Sequence, residues 1–237
     1  MLTLHRAALV LPDPADPTAP SHLDGAVLVR DGLIEAVGPY TELAAAQPTA
    51  RVRDWGDALL TPGLRHPEGH RLLEQAYHPD PREELGDAPV PDGLVGEADE
   101  ARCGASARRG LQRMLGFGVT AVAGPFERAS VRTAVTRSGL VALPGAVALP
   151  GAGSLSEGGS LPEAAWSLDP LVGLPFAEAV HGRLVVGGRA DFALFAPGAD
   201  GGPSAGGPSA GGPSDRGPSA GGCRAVVLGG RLVFRRR

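Results

Sequence analysis

The sequence predicts a mixed α+β chain: a small β-sandwich made from the two ends, with an α/β segment between them. Three observations carry this. Short apolar runs separated by Gly and Asp turn signals fill the first sixty or so residues and return after Gly182. Helical and strand-like runs alternate between them. Neither set of end strands is large enough to bury a core alone, so each needs the other.

Taken in order, residues 2–11 read as a strand and the Pro- and Asp-rich stretch Pro12 to Pro20 as a surface loop. Gly25 to Arg30 and Leu33 to Gly38 are strands joined by Asp31-Gly32, a two-residue hairpin signal because Gly accepts the positive φ of a tight turn. Thr41 is placed to cap a short helix ending near Ala46, with Pro48 beyond it. Val52 to Trp55 and Ala58 to Leu60 are two further short strands. At the other end, Gly182 to Asp191 reads as a strand with a Gly-rich turn and Phe192 to Phe195 as a strand. Ala225 to Leu228 and Leu232 to Phe234 flank a second hairpin signal, Gly229-Gly230. Gly201 to Gly222 repeats Gly-Gly-Pro-Ser-Ala with no side chain larger than Ala to offset an ordering cost of roughly 1–2 kcal/mol per residue, so disorder is expected there.

In the middle, Pro79 to Gly96 is Pro-rich and acidic, a loop. A helix is predicted from Asp99 to Leu115, with Cys103, Ala107, Leu111, Met114 and Leu115 on one face and Gly116 and Gly118 ending it. Val119 to Ala123 is a buried-type strand, Pro125 opens a second helix to about Arg137, and Gly139 to Leu143 is another strand. That spacing is one of parallel βα units. Pro144 to Gly159 is loop-like. Ser160 and Glu163 form a capping box for a helix reaching Leu168, which stops before Pro170, and Phe176 to Val180 is a short helical piece. Gly151 to Ser154 does not pass from a clear strand into a helix, so a phosphate loop is not expected. Ser106 lies inside a predicted helix, which argues against a nucleophile elbow.

Composition narrows the function classes. With 43% hydrophobic residues the 237-residue chain can bury a core. A net charge of −4 gives no footing for nucleic acid or an anionic membrane as partner. The chain contains no Lys, which excludes Schiff-base and carbamylated-lysine chemistry. Cys103 and Cys223 lack metal-type spacing and read as free thiols of a reducing, cytoplasmic setting. No leader-type segment or membrane-length apolar run is read, and Arg235-Arg236-Arg237 reads as a solvated tail.

Three stretches resemble the metal-dependent amidohydrolase superfamily. Asp31-Gly32-Leu33-Ile34-Glu35-Ala36-Val37-Gly38 is similar to its "dG-I-avG" hairpin. Leu59-Leu60-Thr61-Pro62-Gly63-Leu64 is similar to the "l-l-P-G-L" run that leaves the β domain for the barrel, and Gly182-Arg183-Leu184 with Gly187 to Phe192 to the "G-x-L-x-x-G-x-x-A-D-l" return strand. Met114 to Thr120 adds a weaker likeness, to "l-l-x-x-G-v-T". The flavour is that of imidazolonepropionases and aminodeoxyfutalosine deaminases, whose composite β domain comes from both chain ends. The resemblance implies residues 1–63 and 182–237 as composite domain and 64–181 as a barrel-like segment. That span holds about three βα units where a (β/α)₈ barrel takes at least ~200 residues, so a truncated, incomplete barrel is expected.

The family's chemistry is metal-assisted hydrolysis of non-peptide carbon–nitrogen bonds, in which a divalent ion lowers the pKa of bound water to about neutrality. Two histidines at i and i+2 after the first barrel strand bind that ion. The matching positions here are Glu68 and His70, with His66 two residues earlier. Glu-x-His remains a possible ligand pair, because carboxylate oxygen is an acceptable zinc ligand. One reading is therefore a rewired site of His66, Glu68 and His70, with His78 as a further candidate. The other is a leftover polar loop. No histidine lies between His78 and His181, and Asp169, before Pro170, reads as a turn or helix-end residue. The resemblance thus implies an amidohydrolase-like protein with an eroded metal site, a divalent metal (zinc before others) or none as cofactor, and a small nitrogenous substrate if active. The alternative is a non-catalytic relative that binds or assembles with partners, as a homo-oligomer or beside a full-length paralogue.

Overall fold

A computed structural model describes residues 1–96, 98–145, 166–197 and 222–236. The chain divides into two compact units. One comprises Met1–Leu64, Leu115–Thr120 and Leu174–Arg237, the other Arg65–Met114 and Ala121–Gly173.

The first unit is built on β1 (Leu2–Val10), β2 (His22–Arg30), β3 (Leu33–Pro39), α1 (Tyr40–Ala46), β4 (Arg51–Asp54) and β5 (Leu59–Pro62). From the other end of the sequence come α5 (Phe176–Ala179), β9 (Phe192–Phe195), β10 (Cys223–Leu228) and β11 (Arg231–Arg235). These strands form one sheet in the order β11-β10-β9-β5-β1-β2-β3, with β4 paired to the first half of β1 and β5 to its last residues. The two ends of the sequence meet at β5 and β9, antiparallel, with Leu59 opposite Phe195 and Leu60 opposite Leu194.

Strand alternation sorts the side chains. Val27 and Val29 of β2 join Ala7, Leu60, Phe192, Leu194 and Val227 in the main core. Ala26 and Leu28 face the other way, with Leu4, onto the apolar side of α1. Main-chain bonds carry the edge strand β3 onto the loop before β9: Ile34 N–H donates to Gly188 O and Gly187 N–H to Ile34 O, both at 2.8 Å. Instead of two stacked sheets, a single hydrogen-bonded sheet therefore wraps this core. Both hairpin signals are real turns, with Asp31 and Gly32 at φ 50° and 89° and Gly229 and Gly230 at 52° and 73°.

Local expectations differ at three places in this unit. Thr41 lies inside α1, whose N-cap is Pro39 with no side-chain cap. Gly182 to Asp191 forms no strand beyond a single bridge between Leu33 and Arg189, because its glycines turn the backbone; Gly187 sits at φ 83°. Arg235 belongs to β11, and Arg236 N–H donates to Arg224 O, so those two tail residues are part of the sheet end.

The rest of the chain supplies α2 (Gly69–Glu74), α3 (Glu100–Leu115), α4 (Ala129–Ser138) and a three-stranded sheet ordered β6 (Leu64–His66), β7 (Val119–Ala123), β8 (Val141–Leu143), all in the second unit except Leu64, Leu115, Val119 and Thr120. Strands β7 and β8 are parallel with α4 between them, the expected βα unit. On α3, Cys103, Ala107, Leu111, Met114 and Leu115 are all buried, and Asp99 Oδ1 accepts the Arg102 N–H at 2.6 Å at the start of the helix. The second helix begins at Ala129 rather than Pro125. Its first free N–H groups are taken by side chains from distant helices: Arg128 N–H by Glu74 Oε1 and Ser130 N–H by Glu100 Oε2. Leu168 stands in a bend, not a helix. The Ser160/Glu163 capping box, Gly151 to Ser154 and the Gly-Pro-Ser repeat up to Gly221 lie outside the described residues.

Candidate functional site

The end of β6 is where the candidate ligands gather in sequence. The strand stops at His66, Pro67 comes next, and α2 starts at Gly69 with Glu68 as its N-cap. Glu68 and His70 therefore do not sit at alternate positions of a strand. At 3.6 residues per turn, side chains two apart on a helical start diverge by roughly 200°. The i, i+2 spacing after the strand therefore does not bring the two side chains to one point.

Each residue has its own local bonding. The His66 imidazole is buried, 4% exposed, and both ring nitrogens are engaged. Nδ1 accepts the Glu68 N–H at 3.3 Å, so Nε2 carries the proton and donates to the Ser167 carbonyl oxygen at 2.9 Å. Burial pushes its pKa down to about 4, partly offset by the bond to Ser167, so the ring is neutral near pH 7. Glu68 Oε2 lies 2.9 Å from Arg71 Nη1 but without hydrogen-bond alignment, an (i, i+3) ion pair along α2. His70 is half-buried, and its Nδ1 is enclosed without a protein partner.

The other candidates are held elsewhere. Gly69 has no room for a side chain, because a Cβ there would lie 2.9 Å from Ala123 O and from Val122 Cβ. The start of α2 is thereby held close against β7. His78 is fully buried, its Nε2 donating to Leu72 O at 2.8 Å while Ser106 Oγ accepts its main-chain N–H at 2.9 Å. Burial lowers the His78 pKa to about 4. Asp169 accepts the Leu171 N–H at 2.9 Å as N-cap of a 3₁₀ turn, Pro170–Val172, a helix-end residue as the sequence suggests. The main-chain N–H of His181 donates to Gly63 O at 2.8 Å, in the other unit.

Among the described residues, no three His, Cys, Asp or Glu side chains come together in a way that could hold a metal ion. A divalent metal does not fit His66, Glu68 and His70 as they stand: one imidazole has no free lone pair, and the carboxylate is turned to an arginine. Neither cysteine is in a disulfide and both are buried, Cys103 with its thiol pushed up by desolvation. No helix among the described residues is long and apolar enough to cross a membrane. The partner that sequence reasoning missed is the main chain of Ser167. A carbonyl oxygen belongs to every residue, so no residue type announces it.

One family model matches within the first unit. Residues 25–50 match the family model of the imidazolonepropionase-like composite domain of bacteria. Fifty residues are 47% identical to imidazolonepropionase from Pyrobaculum arsenaticum, covering 21% of this chain and 13% of that protein. A stretch of the same length is 47% identical to 5-methylthioadenosine/S-adenosylhomocysteine deaminase from Nitratidesulfovibrio vulgaris, covering 11% of it. Among solved structures, guanine deaminase from Bradyrhizobium japonicum aligns with a TM-score of 0.44 at 22% identity, over 61% of this chain and 35% of that one. The chain thus matches only a small part, 11–13%, of the length of these curated relatives.

Proposed function

Starting from that likeness, we propose that this chain is an amidohydrolase-like protein, related to hydrolases of non-peptide carbon–nitrogen bonds, whose metal site is eroded. The composite β domain and the Pro-Gly-Leu run leading out of it are kept. The ligand positions just beyond that run are turned to structural use. The single observation that carries the reading is the His66 ring, with its acceptor nitrogen filled by the Glu68 N–H and its donor nitrogen by the Ser167 carbonyl. Hydroxide generation on a metal needs imidazole lone pairs and carboxylates aimed at one point. Here the carboxylate of Glu68 is paired with Arg71.

The test is direct. The purified chain is assayed for bound zinc, manganese and iron. It is then assayed for ammonia release from guanine, 5-methylthioadenosine and S-adenosylhomocysteine, and for hydrolysis of imidazolonepropionate. Substoichiometric metal, unchanged by His70→Ala, together with no turnover, supports erosion. Stoichiometric metal that His70→Ala removes, or turnover abolished by that change, overturns it. If turnover is absent, the same preparation addresses the binding or assembly role by its oligomeric state in solution.

A further inference from the structure

We infer that Ser167 to Val172 is a built-in plug, seated on His66 so that the chain's own backbone occupies the imidazole edge an external ligand would need. This rests on the proposed erosion of the metal site and gives His66 a role there: an anchor, not a ligand.

The plug is a compact piece of chain. Ser167 Oγ accepts the Asp169 N–H at 3.1 Å, Asp169 Oδ1 accepts the Leu171 N–H at 2.9 Å, and Asp169 O accepts the Val172 N–H at 3.2 Å. Such turn bonds are local and would not by themselves hold a segment in place. What seats it is burial of Leu168, Asp169 and Pro170 together with the bond from His66 Nε2 to Ser167 O, which spans a sequence separation of 101. The Glu68 N–H on Nδ1 favours the tautomer in which Nε2 is the donor to Ser167 O. Both bonds meet in one ring, so neither of its nitrogens is left open to an outside ligand.

Two measurements on the wild-type chain test this without relying on a variant that folds. Hydrogen exchange of the 166–173 segment reports how often it lifts. Carbethoxylation by diethyl pyrocarbonate, read by mass spectrometry, reports when the His66 ring becomes reachable, with half-buried His22 as internal reference. The plug predicts that His66 is modified far more slowly than His22, on the timescale at which the Asp169, Leu171 and Val172 amides exchange. Modification of His66 at the rate of His22 would overturn it. In variants, His66→Gln keeps an amide N–H for Ser167 O and should retain most of the protection. His66→Leu should speed exchange of that segment by roughly fivefold to tenfold, the factor one net hydrogen bond carries. Equal exchange in both variants and the wild type would also sink the plug. These readouts are separate from metal content, which tests the erosion itself.

Discussion

Gly63 has no space for a methyl group: a Cβ built there would lie 2.0 Å from Thr120 Cγ2 and 2.2 Å from its Oγ1. Thr120 is itself fully buried, so neither side can yield. Gly63→Ala should cost about 3 kcal/mol or more by overpacking, read as a lower urea midpoint. Adding Thr120→Gly, which removes the colliding atoms, should recover most of that loss; a double variant no better than the single one would contradict the packing explanation. Buried histidines set a second residue-scale expectation. Burial lowers His5 to about 3 and His66 and His78 to about 4. An unfolded chain binds these protons near pH 6.5, so the folded state is favoured fully above that pH and loses stability as pH falls from about 6.5 towards 4. Melting temperature measured at steps between pH 7.5 and 4.5 should fall steadily, and His5→Phe should flatten part of the slope. A flat profile would mean these rings are not held neutral.

At the scale of elements, α3 shows how packing overrides propensity. Gly110 lies mid-helix, where Ala would ordinarily stabilise by roughly 1 kcal/mol. A Cβ at Gly110 would sit 2.5 Å from His78 Nε2, in a ring already pinned by Leu72 O. Gly110→Ala should therefore lower stability despite its better propensity, with the loss seen in thermal unfolding; a gain would show that the His78 ring can move. The same helix was legible in the sequence because its apolar face recurs at helical spacing and its cap is local. So were both hairpins, through Asp31-Gly32 and Gly229-Gly230. The start of α4 was not legible, since its first N–H groups are satisfied by Glu74 and Glu100 from other helices. The candidate site was legible only as a cluster of residue types. That His66 would spend its ring on a carbonyl more than a hundred residues away, and that Glu68 would begin a helix instead of continuing a strand, depend on long-range contacts that no local pattern encodes.

For the whole molecule, the decisive pairing is β5 with β9, which joins strands from opposite ends of the sequence into one sheet. Between β9 and β10 the chain runs through the Gly-Pro-Ser repeat, yet its flanks are already bonded, Ala196 N–H to Gly222 O at 2.8 Å. Replacing Gly198 to Gly221 by a short turn should leave the sheet intact and raise stability by about 1–2 kcal/mol, because loop-closure entropy falls only with the logarithm of length. Denaturant unfolding of the shortened chain measures this, and a large loss would assign the repeat a structural part. The β5–β9 pairing also has a consequence for biosynthesis. As the polypeptide leaves the ribosome, Leu59–Pro62 emerges long before Phe192–Phe195, so a buried-type strand waits with one flank bare. Until translation reaches that far segment, the nascent chain carries an adhesive border that invites capture by chaperones or by a neighbouring copy.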